Sequence, residues 1–169
     1  MLVGKLTEDD LEAIWTLRLC ALKDNPEAFG STYEETLARG KAWMLQRLSG
    51  KEDEVFYLGA FEEALIGMVA FYREEGSKSR HKGYVVSMYV FPESRGLGAG
   101  KALMQELIIR AKQIEGLEQL QLAVVTTNQA AYHLYRSLGF EVYGTEPKAL
   151  KLGEQYWDEH LMVLDLRQG

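Results

Sequence analysis

The 169 residues carry a net charge of −6, one cysteine and three dispersed histidines. These counts exclude a disulfide scaffold and a thiolate metal cluster, leave no metal to expect, and speak against a nucleic-acid partner, because neutralising phosphates needs clustered Lys and Arg. The 47% hydrophobic and 26% charged content is that of a globular protein, and the length fits one domain over residues 1–169 with a sizeable core.

In chain order, MLVGKL reads as a short first strand. Its continuation TEDDLEAI is acidic where a secretory signal needs a cationic start and an apolar block, so a cytoplasmic location is expected. Thr7 with Asp10 three residues later makes a capping-box-like helix start. The helix that follows presents Leu11, Ile14, Trp15, Arg18, Cys20 and Leu22 on a mostly apolar face. Cys20 is expected to be a buried, inert thiol, with no histidine near it in sequence. Pro26 and Gly30 break the pattern, and Ser31 or Thr32 caps a second helix running to about Leu48.

VFYLGAF and LIGMVAFYR flank EEA and predict an antiparallel hairpin. The apolar run within it, LIGMVAFY, is too short to cross a bilayer, and no membrane partner is expected. After a polar loop, GYVVSMYVF is a third β-rich run that ends at Pro92. Leu103, Met104, Leu107, Ile108, Ala111 and Ile114 recur at helical spacing, and Gly116 stops that helix. LEQLQLAVV alternates as a strand, Asn128 opens the helix QAAYHLYRSL, Gly139 ends it, and FEVYGTEP and YWDEHLMVLDL are the last strands. The order β-α-α-β-β-β-α-β-α-β-β predicts an α/β (α+β) fold: a mixed, mostly antiparallel sheet of about seven strands with flanking helices. Its one strand–helix–strand crossover makes 84–91 and 117–125 parallel neighbours.

The segment RGLGAGK, residues 95–101, carries the strongest functional signal. A P-loop would require Gly at Arg95 and a hydroxyl at Ala102, and a dinucleotide fingerprint would put the bulky Lys101 where a small residue must pack. Both spacings fail. The physics of such loops still applies: Gly96, Gly98 and Gly100 let the backbone approach a ligand, and the free N–H groups of the following helix suit an anion. The alternative is a glycine-rich turn without a ligand.

Two motifs together resemble those of the GNAT superfamily of acetyl-CoA-dependent N-acetyltransferases. RGLGAG is similar to its Q/R-x-x-G-x-G/A pattern through Arg95, Gly98 and Gly100, at the right place between strand and helix. NQAAYHLYRSLGF resembles its N-x-x-A-x-x-L-Y-x-x-x-G-F pattern through Asn128, Ala131, Leu134, Tyr135, Gly139 and Phe140. The resemblance implies that main-chain groups of Met88, Tyr89 and Val90 pair with the pantetheine arm of acetyl-CoA. It also implies that the backbone of Arg95, Gly96, Leu97, Gly98, Ala99, Gly100 and Lys101 holds the pyrophosphate, and that Asn128 contacts the cofactor arm. Tyr135 stands where the family often has a general acid for the departing thiolate. A thiol near 8.5 against a tyrosine near 10 makes that transfer undemanding. Packing alone is the other reading of Tyr135.

The implied reaction is direct attack by a primary amine of a small molecule or peptide, in a ternary complex. A non-catalytic acyl-CoA sensor on the same fold, or a generic nucleotide-binding module, is the alternative. An alkyl amine with pKa near 10.4 is neutral in only about one molecule in 2,500 at pH 7, so a proton acceptor is needed. Some relatives place a Glu on the strand before the loop, but YVVSMYV offers none; Glu34, Glu35, Glu93, Asp158, Glu159 or a water chain remain, and none is assigned. By family analogy Phe29, Tyr33 and Tyr156 are expected to line the acceptor slot, with ordinary core packing the other reading of these aromatics. The last strand, HLMVLDL, is expected to help form a homodimer.

Overall fold

The computed structural model describes residues 1–167. Its centre is a pair of strands, β2 (Val55–Phe61) and β3 (Leu65–Arg73), with burial patterns that run almost unbroken from end to end. Both faces of this pair are covered, which is why their sequences are continuously apolar and do not alternate. Around them, β1 (Leu2–Lys5), β4 (Lys82–Val90), β5 (Gln119–Val125), β6 (Glu141–Leu152) and β7 (Gln155–Asp165) complete a seven-stranded sheet ordered β1-β2-β3-β4-β5-β7-β6. All neighbours are antiparallel except β4 and β5, as the element order requires.

Helices cover the two faces separately. α1 (Leu11–Asp24) and α2 (Tyr33–Leu48) lie on one, where Ile14, Leu17 and Met44 pack with Tyr57, Met68 and Tyr89. α3 (Ala99–Lys112) lies on the other, where Leu103, Met104 and Leu107 join Phe56, Phe71, Leu120 and Phe140, and α4 (Gln129–Ser137) adds Tyr135. Leu103 and Met104 are each fully buried, a contribution of about 1.5–3 kcal/mol apiece. Among the described residues no helix is long and apolar enough to cross a membrane.

Capping chemistry falls where the sequence places it. Thr7 and Asp10 form a reciprocal box, on a short 3-10 turn ahead of α1, and Thr32 with Glu35 forms another at α2. Several boundaries differ from expectation. α2 is kinked at Gly40, whose φ is +77°, so 33–48 is two helical pieces. α3 begins at Ala99 and takes in Gly100. Cys20 is half-buried on the flank of α1, because Leu17, Arg18, Ala21 and Leu22 occupy the inward face. β6 continues past Pro147: the proline lacks an N–H, the ladder skips from Glu146 to Leu150, and pairing then resumes. The last strand is paired on both sides, by β5 and β6, so the free edge at that end of the sheet belongs to β6.

Candidate active site

The site originates in a failure of strand pairing. β4 and β5 are in register only over Lys82–Tyr84 and Gln119–Gln121, and beyond that point their facing edges have no partner in each other. A bulge drives them apart. In the β3–β4 ladder Met68 faces Tyr89 and Ala70 faces Val86, so Val69 meets both Ser87 and Met88; Ser87 takes φ +58° to allow it. Such a bulge bends its strand and sharpens its twist. The result is a cleft of about 990 Å³, walled by 85–90 of β4 and 122–125 of β5.

The glycine loop closes one end. Gly96 and Gly98 have φ of +83° and +84°, and a Cβ at either would meet nothing within 4 Å. Glycine holds this backbone without the strain a side chain would bring, and the space a side chain would fill is open. α3 starts at Gly98 with no side-chain cap, its first helical bond running from Ala102 N–H to the Gly98 carbonyl. The N–H groups of Ala99, Gly100 and Lys101 therefore stand at the positive end of the helix dipole beside the cleft, an arrangement that fits a diphosphate. A Cβ at Gly100 would lie 3.4 Å from the Leu134 side chain, an ordinary contact, so the approach of α3 to α4 does not itself demand glycine there.

α4 supplies the opposite wall. Asn128 Oδ1 accepts from the Ala131 N–H at 3.2 Å, so one end of its amide serves as the helix cap. One helical turn and more along, Tyr135 lines the cleft, is only 6% exposed and packs edge-on to Phe140. Burial alone raises its pKa to about 12. Glu159 of β7 also borders the cleft, opposite Val125 on one side and Glu146 on the other. Burial first, and the Glu146 charge second, hold its pKa above the usual carboxylate range.

Other expected residues fall differently. Met88, Tyr89 and Val90 line the cleft, but the Tyr89 hydroxyl points to α1, donating to Asp24 at 2.7 Å. Burial and that hydrogen bond raise its pKa. Arg95 folds back: Nε donates to the Val90 carbonyl at 3.0 Å and Nη2 to Asn25 Oδ1, so its charge braces the loop. Lys101 borders the cleft, whereas the Leu97 side chain is 59% exposed. Of the three aromatics expected in the acceptor slot, only Phe29 lines it. Tyr33, at the first residue of α2, instead takes the Lys23 ammonium over its ring, and Tyr156, near the tip of the β6–β7 hairpin, takes Lys148 and Lys151.

The α1–α2 wall is the part that the motifs did not announce. Arg18, Arg39, Trp43, Arg47 and Tyr57 all border the cleft. The signal available was the i, i+4 spacing of Trp43 and Arg47 on the second helical piece of α2. Arg39 lies before the break at Gly40, so its place beside them is set by the tertiary structure.

A family model described as the acetyltransferase (GNAT) family matches residues 17–140. The chain belongs to this family. A GNAT relative, the L-methionine sulfoximine/L-methionine sulfone acetyltransferase of Pseudomonas aeruginosa, is 38% identical over 80 residues, 47% of this chain and 46% of that protein. Against this and similar relatives the chain spans about half the partner's length. Likeness of fold extends much further. The GNAT-superfamily phosphinothricin acetyltransferase of Sinorhizobium meliloti, solved in complex with AcCoA, has a TM-score of 0.83 at 25% identity over 97% of this chain and 87% of that one. YncA of Salmonella typhimurium, solved with acetyl-CoA, has a TM-score of 0.85 at 22% identity over 100% and 95%.

Proposed function

We propose that this GNAT protein, as a single acetyltransferase domain, transfers the acetyl group of acetyl-CoA to a primary amine of a small molecule or peptide, by direct attack in a ternary complex. The observation that carries this reading is the unpaired crevice beyond Tyr84 and Gln121, which leads to the uncapped amides of α3. An extended pantetheine arm would find main-chain partners on β4, and a diphosphate would find the N–H groups behind Gly98. The presence of AcCoA in the phosphinothricin acetyltransferase neighbour supports the same cosubstrate here.

Acetyl-CoA supplies an activated thioester; the chain orients it and manages charge. An N–H toward the end of β4 would donate to the thioester oxygen, an interaction worth about 3 kcal/mol in comparable oxyanion sites. Tyr135 is the donor to the leaving sulfur. At about 12 its hydroxyl is roughly 3.5 pH units above a free thiol, wider than the gap expected from unperturbed values, and complete transfer would be uphill by about 4.8 kcal/mol. Tyr135 therefore acts by hydrogen bonding to the developing thiolate, and solvent delivers the final proton. Of the carboxylates considered for the amine's proton, Glu159 is the one that borders the cleft. Its raised pKa makes it a better proton acceptor than an exposed carboxylate, and we assign it that role.

Thiol release from acetyl-CoA across an amine panel, with thermal shift as the binding control, tests the reading. Stabilisation by acetyl-CoA together with turnover of at least one amine is expected. Stabilisation without turnover on any amine would favour a sensor, and stabilisation by ATP or NAD but not by CoA would overturn the cosubstrate.

A further inference from the structure

Three guanidinium groups surround one indole at the α1–α2 wall of the cleft. The central carbons of Arg18, Arg39 and Arg47 lie 5.6, 5.1 and 5.3 Å from the Trp43 ring centroid. The chain is rich in acids, with 25 Asp and Glu against 19 Lys and Arg, yet among the described residues no ion pair involves any of the three arginines. What sets this place apart is that three cations gather round one ring, one of them buried, with no carboxylate among them in ion-pair contact.

Arg18 is the sharpest case. It is 7% exposed, its Nη1 donates to Ser87 Oγ at 3.1 Å, and its Nε is buried without a hydrogen-bond partner. Arg47 Nε donates to the Tyr57 hydroxyl at 2.7 Å, a neutral acceptor. A buried cation normally has a paired anion, and an unsatisfied buried donor requires an explanation. The indole face softens the charges but does not neutralise them. Burial lowers the Arg18 pKa; Tyr57 partly offsets this, and the neighbouring Arg47 and Arg39 charges add to it.

We infer that the acceptor is an amine that also bears a small anionic group, a carboxylate as in an amino acid, and that this group seats among Arg18, Arg39 and Arg47. Ser87 ties the subsite to the chemistry: the residue that receives the Arg18 hydrogen bond is the bulge residue where β4 leaves β5. Amine and anion must therefore be separated by few bonds. This inference rests on the acetyltransferase reading and names its substrate class.

The test compares amino acids with their own primary amides, which keep the amine and lose the anion. In the parent protein the acids should have kcat/KM higher by at least about 10- to 150-fold, the range of a single charged hydrogen bond. Arg39 is exposed, so Arg39→Ala should fold normally; it should raise KM for the acids and leave KM for the amides and Kd for acetyl-CoA unchanged. Arg18→Met should abolish the discrimination and raise the Tm of the free protein, because a buried charge without a partner is replaced by an apolar side chain of similar volume. Equal turnover of acids and amides by the parent, unchanged acid preference in both variants, or loss of acetyl-CoA binding in Arg39→Ala would overturn the inference. If no amine is turned over at all, the acetyltransferase reading falls, and calorimetry with N-acetylglycine and N-acetylglycinamide decides the subsite by itself. Binding of the acid alone, lost in Arg39→Ala, upholds it; no binding of the acid to the parent overturns it.

Discussion

Replacing Tyr135 by Phe removes one hydroxyl from the cleft and leaves the ring against Phe140. Two effects follow, and both have a size. The first is catalytic: a hydrogen bond to a developing thiolate is worth about 1.5–3 kcal/mol, so kcat at neutral pH should fall by about 10- to 150-fold with little change in KM for acetyl-CoA. The second is a pH effect on stability. Tyr135 titrates near 12 in the folded chain and near 10 when unfolded. Between those values the unfolded chain releases this proton while the folded chain keeps it. Its contribution is thus complete below pH 10 and is lost as pH rises to about 12, amounting to about 2.7 kcal/mol. Urea denaturation at several pH values should show the parent losing that much more than Tyr135→Phe across this window. A thiol-release assay gives the kinetic half. A variant with kcat within about threefold of the parent would refute the donor role, and equal alkaline slopes would refute the burial argument.

Glu159→Gln should lower kcat/KM at pH 7 by about 100-fold, the low end of general-base contributions, and should flatten the acidic limb of the pH–rate profile. Because its pKa is raised in the fold, the native carboxylate stabilises the protein only at pH values low enough to keep it protonated. The Gln variant should therefore have the higher Tm at pH 8, a gap that closes as pH falls through the carboxylate range. Gly98→Val places a β-branched residue at φ +84°, a strain of at least about 1–2 kcal/mol, and fills the space behind the α3 amides. Calorimetry should find acetyl-CoA binding lost while the far-ultraviolet circular dichroism of the fold persists.

Element order, the single parallel crossover, the Thr7–Asp10 capping box, a capping hydroxyl at the start of α2 and the glycine loop were all legible in the sequence, because each depends on local chemistry: periodicity, a hydroxyl three residues before a carboxylate, or the absence of a side chain where φ is positive. The Thr32–Glu35 box was seen only in the structure. The positive φ and open surroundings of Gly96 and Gly98 bear out the reading of a loop that calls for glycine. Local rules also misjudged some places. Pro147 looked like the end of a strand, yet the long β7 carried the ladder past it; Tyr33 and Tyr156 looked like acceptor-site aromatics, yet hairpin and helix geometry turned them toward nearby lysines. The bulge at Ser87 had no sequence signature, since it arises from a register mismatch between two strands that each look regular alone.

What the sequence by itself determined is which segments form helix or strand and where the backbone can approach an anion, because those properties are settled within a few residues of chain. What only the tertiary structure decided is the charge environment of the cleft. Arg18, Arg39 and Arg47 come from two helices, Glu159 from the last strand and Tyr135 from another helix. The ionisation of Arg18, Glu159 and Tyr135 depends on burial, with neighbours distant in sequence adding to it for Arg18 and Glu159. A dielectric environment is a property of the packed assembly, and no local pattern encodes it.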